Sequence, residues 1–209
     1  MTTRIASLIS FVLHPLMMST YLFLLLIFNA PHAIVPIGFS ASGSVVLVSL
    51  IFITTFVIPV LSLFILKMSG SISSLLLEKR EERITPMLYT IIMYAVTTYM
   101  FSTKVELGEM IFVFLAITTM LIVVTVVITI FWKISLHGIG IGGLLGLVMG
   151  ANQHTAINYF EIILPLLFLA AALVLSARLK LNAHSPNQVY SGFVLGISIS
   201  FVSFIIYLI

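Results

Sequence analysis

Residues 176–188 read Ser-Ala-Arg-Leu-Lys-Leu-Asn-Ala-His-Ser-Pro-Asn-Gln, a polar island between two apolar runs, residues 161–177 and 191–209. Each run is about as long as a bilayer-spanning helix needs, roughly 17–25 residues, and neither shows the strict alternation of a barrel strand. The island is therefore read as a loop at a membrane surface joining two spanning helices. Within it Arg178 and His184 stand with five residues between them. A guanidinium grips a phosphate through a planar fork of donors, and an imidazole acts as nucleophile or proton carrier near neutral pH. As a plain alternative, the island is a basic loop anchoring two helices at the interface.

Composition extends the same reading to the whole chain. Of 209 residues, 61% are hydrophobic and only 7% charged. A soluble domain carries about 25% charged residues, so this chain has too few to cover itself on all sides with a water-facing surface. The expectation is an all-α polytopic membrane protein, with about six to seven transmembrane helices in one bundle. Cysteine is absent, so there is neither a disulfide framework nor thiolate chemistry. The basic pI near 9.3 rests on few charges and does not point to nucleic acid. All six acidic residues are glutamate.

Working outward to the N-terminus, Arg4 precedes an apolar run over residues 5–28. The run is longer than the apolar core of a signal peptide and no small-residue cleavage site follows, so it reads as a retained first helix. His14-Pro15 lies inside it, and proline there frees a backbone carbonyl and kinks the helix. His14 is read as a buried hydrogen-bonding residue. A turn with Pro31, His32 and Pro36 leads to a second span over residues 45–66. Residues 67–86 are the most charged part of the chain, centred on Glu78-Lys79-Arg80-Glu81-Glu82-Arg83-Ile84-Thr85-Pro86. As a helix, this segment would put Lys79, Arg80 and Arg83 on one face. The alternative is an interfacial helix whose charges pair with one another and with headgroups.

A third span over residues 87–101, a loop with Lys104, Glu106 and Glu109, and a fourth span over residues 111–131 follow. Trp132-Lys133 marks an interface, and Ile134-Ser135-Leu136-His137-Gly138 forms another polar island. Glycines at 138, 142, 146 and 150 recur every four residues through a fifth span, which places them on one face where backbones approach closely. This spacing also leaves the start of that helix open to an anion. Asn152 and His154 are expected in the turn before a sixth span, which Glu161 opens with Pro165 in its first turns. A seventh span over residues 191–209 ends the chain. The whole, residues 1–209, is read as a single transmembrane domain.

Counting crossings brings the three polar islands to one membrane face. Arg4, Lys67, Lys79, Arg80, Arg83, Lys133, Arg178 and Lys180 lie there, with Lys104 opposite. Ionisable groups at such a position are costly and usually functional.

The order and spacing of the islands resemble the type 2 phosphatidic acid phosphatase superfamily, helical lipid phosphatases related to bacterial acid phosphatases and vanadium haloperoxidases. Its third motif is Ser-Arg, five residues, His, three residues, Asp; here stand Ser176-Ala177-Arg178, five residues, His184, three residues and Gln188. Its second motif is Pro-Ser-Gly-His; here stands Ile134-Ser135-Leu136-His137. Its first is Lys, six residues, Arg-Pro; anchoring on Pro86 puts Glu78 and Thr85 at the cationic positions, beside the cluster Lys79, Arg80 and Arg83. The resemblance covers residues 78–190, and it implies a phosphatase-like core over about residues 67–209.

The resemblance implies that Lys79, Arg80, Arg83, Arg178, Ser135 and the N–H groups near Gly138 hold the phosphoryl oxygens, which is most of what phosphoryl transfer requires. His184 would attack phosphorus and form a phosphohistidine. His137 would protonate the departing oxygen and then activate water. Gln188 would orient the His184 ring where the family has an aspartate; in a serine protease, loss of the comparable charge costs about 10⁴ in rate. No metal or other cofactor is implied. The partners implied are the bilayer and a membrane lipid phosphate or isoprenyl diphosphate, and the family's usual place is the outer face of the bacterial inner membrane. The charge bias of the loops points the same face to the cytoplasm. Two other readings use the same residues: a non-catalytic lipid-phosphate binding protein or carrier, and a helical scaffold with basic loops.

Overall fold

The computed structural model describes residues 1–31, 40–103, 109–154 and 161–209. His32 and Pro36 of the expected turn, the loop residues Lys104 and Glu106, and the side chain of His154 lie outside them. The described residues form an all-α bundle without a strand: α1 (Thr3–Val12), α2 (Met18–Asn29), α3 (Ala41–Phe52), α4 (Ile58–Met68), α5 (Ile84–Thr103), α6 (Glu109–Phe131), α7 (Leu136–His154), α8 (Ile163–Lys180) and α9 (Pro186–Leu208). Among the described residues six helical stretches are long and apolar enough to cross a membrane, with α1–α2 counted as one and α3–α4 as another. The protein is an integral membrane protein. Its outward side chains fit that medium: Phe28, Ile65, Phe131 and Val194 are exposed on the bundle's surface, where lipid rather than water meets them.

Helix α7 is the remaining long helix, and it runs through the interior with most of its residues buried. Its glycines serve the packing expected of them. A methyl group on Gly142 would stand 2.3 Å from the Phe193 carbonyl oxygen, and one on Gly146 2.6 Å from that of Ile197. Only a residue without Cβ lets α7 and α9 come this close. Gly192 and Gly196 answer from α9, so the seam is glycine against glycine. At the end of the bundle away from the polar islands, Phe114 stacks on Phe204 at 5.3 Å and receives the edge of Phe23 at 6.3 Å, which closes the core.

Four local expectations are corrected. The first apolar run is broken rather than kinked: α1 ends at Val12, a 3₁₀ turn covers Pro15–Met17, and α2 starts afresh. Proline at 15 has no N–H to continue the ladder and disfavours helical geometry in the residue before it. Residues 69–80 are not helical. Their serines bond locally (Ser69 Oγ to the Leu66 carbonyl, Ser69 and Ser71 to each other), and the Glu82 carboxylate reaches back to accept from both the N–H and the hydroxyl of Ser73 at 2.9 and 2.8 Å. Only a 3₁₀ turn, Glu81–Arg83, precedes α5, so Lys79, Arg80 and Arg83 do not share a helix face. Asn152 and His154 lie in the last turn of α7, and α8 begins at Ile163 rather than at Glu161.

The three polar islands meet at one end of the bundle, bound through backbone carbonyls. Arg80 Nη1 donates to the Phe131 carbonyl at 2.8 Å, and Arg83 Nη1 to that of Ile134 at 3.1 Å. The Ser135 N–H donates to the Gln188 carbonyl at 3.2 Å.

Candidate functional site

The spacing from Arg178 to His184 has a local cause. Helix α8 stops at Lys180 in a Schellman turn: the Asn182 N–H bonds the Leu179 carbonyl at 3.0 Å, and the Ala183 N–H bonds that of Arg178 at 3.2 Å. The turn needs one left-handed residue, and Asn182 supplies it at φ 50°. Three residues later Ser185 caps α9, with Pro186 in the first helical position and a reciprocal capping box to Gln188. Arg178 and His184 are thus the two shoulders of a compact helix–turn–helix corner.

The capping box also decides the chemistry of His184. The Ser185 backbone N–H donates to Gln188 Oε1 at 3.2 Å, which fixes that atom as the amide's oxygen. His184 Nδ1 lies 3.1 Å from the same oxygen. An oxygen accepts, so the neutral ring carries its proton on Nδ1 and its lone pair on Nε2. His184 is only 9% exposed. Burial first, then the charges of Arg83, Arg178 and Lys133, lower its pKa from 6.5 to about 4, against the pull of the Gln188 bond.

A test of that environment follows from linkage. The unfolded chain takes up the proton near pH 6.5 and the folded one only near pH 4, so stability is intact above pH 6.5 and falls as the pH drops toward 4. The expected loss is on the order of 3 kcal/mol. Thermal melts of the protein in detergent across this window should show it, and His184→Asn should flatten that part of the profile.

A cavity of ≈ 180 Å³ opens beside His184. Arg83, Arg178, His14, His137 and His184 all line it, while its deeper wall is apolar and includes Leu22, Leu121 and Leu147. Thr90, Thr118 and Thr125 line it too, but each hydroxyl donates to the carbonyl four residues back, at 2.9, 2.8 and 2.6 Å. With their hydroxyls engaged, they add little polarity to the wall. The volume compares with the ~150 Å³ void that accommodates a benzene ring. It has room for a phosphate-sized head with the first carbons of a chain behind it.

The two arginines differ. Arg83 is 4% exposed and engaged: besides Ile134, its Nε donates to the Leu77 carbonyl at 2.8 Å. Leu77 sits in the left-handed region at φ 49°, costly for leucine, and that bond helps to hold it there. The Arg178 Nε is buried and makes no hydrogen bond to any described residue. A buried, unpaired donor on a cation is a costly arrangement unless a ligand completes it.

Of the residues singled out in the sequence, His184, His137, Arg83 and Arg178 line the cavity, and Gln188 supports His184. The others have different positions. Lys79 pairs with Glu82 at 3.2 Å, and Arg80 with Glu81 at 3.3 Å, on the outer side of the charged segment. Ser135 is fully buried as the cap of α7, its hydroxyl accepting the Gly138 N–H at 3.2 Å. That bond commits the N–H expected to meet an anion, and the Cα of Gly138 faces the Val189 carbonyl. His137 Nε2 lies 3.0 Å from the Ser10 carbonyl, so it carries the ring's proton and Nδ1 the lone pair.

One residue that was given only a structural part in the sequence lines the cavity, and one given an interfacial part carries its charge close by. His14 lines the cavity, its ring edge-on to His137 with centroids 5.7 Å apart. A histidine immediately before a helix-breaking proline was the available signal. Lys133 lies near enough to Arg83 and Arg178 that their charges, after burial, lower its pKa, with Glu78 opposing. Comparisons with protein-family models, with curated proteins and with solved structures find no match.

Proposed function

We propose that the protein is a membrane phosphatase that removes phosphate from a lipid or isoprenyl (di)phosphate through a phosphohistidine on His184. The observation that carries this reading is the pairing of His184 with Arg178. One presents an Nε2 lone pair because Gln188 holds the proton on Nδ1, and the other a buried guanidinium donor without a partner among the described residues, on the two sides of one turn. The neutral ring is the nucleophilic form, and its lowered pKa keeps it neutral at ordinary pH. Arg83 and Arg178 supply positive charge beside the phosphoryl oxygens.

In the first step His184 Nε2 bonds to phosphorus as the bond from phosphorus to the lipid oxygen breaks, and that oxygen leaves with the proton of the singly protonated phosphate. In the second, water attacks the phosphohistidine and restores the imidazole. His137, with its Nδ1 lone pair, fits the base that takes the proton from that water, but not the acid expected for the departing oxygen, because its one ring proton is committed to the Ser10 carbonyl. The motif resemblance of the three segments supports the same chemistry, and it favours a bacterial inner membrane. The apolar inner wall of the cavity favours a substrate with a hydrocarbon chain.

The test is phosphate release by the purified protein in detergent and in liposomes, from phosphatidic acid, phosphatidylglycerol phosphate and undecaprenyl diphosphate. Release that His184→Ala abolishes, with a radiolabelled acid-labile protein adduct in the intact protein, is the expected result. A water-soluble phosphomonoester turned over far better than any lipid would defeat the substrate class. A second reading, a lipid-phosphate binding protein or carrier, has one observation in its favour: the residue behind His184 is an uncharged amide, and Glu81 and Glu82 are occupied by Arg80, Lys79 and Ser73. Binding without release is its signature.

A further inference from the structure

The cavity contains a histidine for which the two steps above have no task. We propose that His14 is a phosphate-binding residue, donating its Nε2–H to a phosphoryl oxygen of the ligand. The inference rests on the phosphatase-or-binder reading of the cavity and adds to it a residue from the broken first helix.

Hydrogen bonds fix which nitrogen of each histidine holds the proton. The Leu16 backbone N–H donates to His14 Nδ1 at 3.3 Å, so Nδ1 carries the lone pair and Nε2 the proton. The same reasoning leaves lone pairs on Nε2 of His184 and Nδ1 of His137. Of three neutral imidazoles around one cavity, two offer lone pairs and His14 alone retains an N–H not tied to a protein acceptor in these bonds. An anion surrounded by lone pairs is repelled, and an N–H is what it needs.

The position of His14 is built rather than incidental. Its ring caps the helical segment that starts at Pro15, a task for which serine, threonine, aspartate and asparagine are the preferred residues. Capping alone does not call for an imidazole. The break itself is pressed onto α7: a methyl group on Gly140 would stand 3.1 Å from Pro15 Cα and Cβ. The ring is flanked by His137 on one side and by Phe56 at 6.3 Å, edge-on, on another. Phe56 comes from a π-helical turn, Ile53–Val57, inside the second spanning stretch, and such turns concentrate at functional sites. Two separate departures from regular helix, the break at His14 and the π turn, thus converge on this one side chain.

The test separates the capping role from the donor role. His14→Ser keeps a strong cap and removes the N–H. Inorganic phosphate is titrated calorimetrically into the full-length protein in detergent, and melting temperature is recorded alongside. The expected result is a loss of phosphate affinity of about 10- to 100-fold in His14→Ser at an unchanged melting temperature. Arg178→Gln should lose affinity as well. Wild-type affinity in His14→Ser, with affinity lost in Arg178→Gln, overturns the role of His14 and leaves the parent reading standing. No phosphate binding by the wild-type protein overturns both. Should His14→Ser fail to fold, ¹⁵N-histidine spectra of the wild-type protein decide: an Nε2–H signal of His14 that shifts on adding phosphate is the expected outcome, and one that does not move defeats the inference.

Discussion

Replacing Gln188 with glutamate should accelerate phosphate release by about 10²- to 10⁴-fold, the scale on which the carboxylate of a catalytic triad acts through its histidine. Glutamate is the one substitution that changes charge with little change of shape. It is isosteric with glutamine and equally able to close the capping box with Ser185. The oxygen that accepts from His184 Nδ1 and from the Ser185 N–H would remain in place. What is added is a negative charge 3.1 Å from the ring, which stabilises the cationic imidazole that forms once Nε2 bonds to phosphorus. The same charge raises the pKa of His184, so the acid limb of the rate profile should move upward, toward neutrality. Both shifts are measured on initial rates of phosphate release across pH. An unchanged rate with undiminished lipid binding would mean that His184 is not the nucleophile.

Arg178→Gln should weaken phosphate binding by between about 30- and 5,000-fold, the range found when one member of a buried charged pair is truncated. Its effect on stability should be small or favourable. The guanidinium has a buried Nε with no hydrogen bond among the described residues, so removing it relieves a desolvation cost rather than breaking a bond seen there. Arg83→Gln is expected to behave in the opposite way. Arg83 bridges the Leu77 and Ile134 carbonyls, and losing it orphans both and releases the strained Leu77 turn. That variant should melt earlier, by an amount equivalent to about 2–4 kcal/mol, before any effect on the ligand is considered. Paired melts and phosphate titrations distinguish the two arginines; equal destabilisation by both would remove the case for Arg178 as a ligand group.

Much of this arrangement was legible in the chain. Spans and islands follow from apolar runs and their interruptions, because a bilayer imposes a length that sequence displays directly. The four-residue glycine spacing was legible for the same reason: a packed face repeats with the helix. The residues that proved hard were those whose partner is local backbone or distant chain. Ser135 looked like a phosphate ligand because a serine before a helix is both a ligand and a cap, and only its full burial at the Gly138 N–H, off the cavity lining, favours the cap. Lys79 and Arg80 looked like companions of Arg83 because helical spacing was assumed where serines bond the backbone instead. His14 stands far from the other histidines in sequence, and its approach to His137 depends on where a broken helix is pressed against α7. Periodicity carries no trace of such an encounter.

The glycine seam has a mechanical consequence. With no side chain between them along Gly138, Gly142 and Gly146, α7 and α9 are locked like two halves of a single beam. His137 is mounted on one half, and His184 stands where the chain enters the other. Their separation is therefore set by the seam, whereas the cavity wall formed by α2 and α5 lies beside the two irregular stretches, the break at Pro15 and the π turn Ile53–Val57 between α3 and α4.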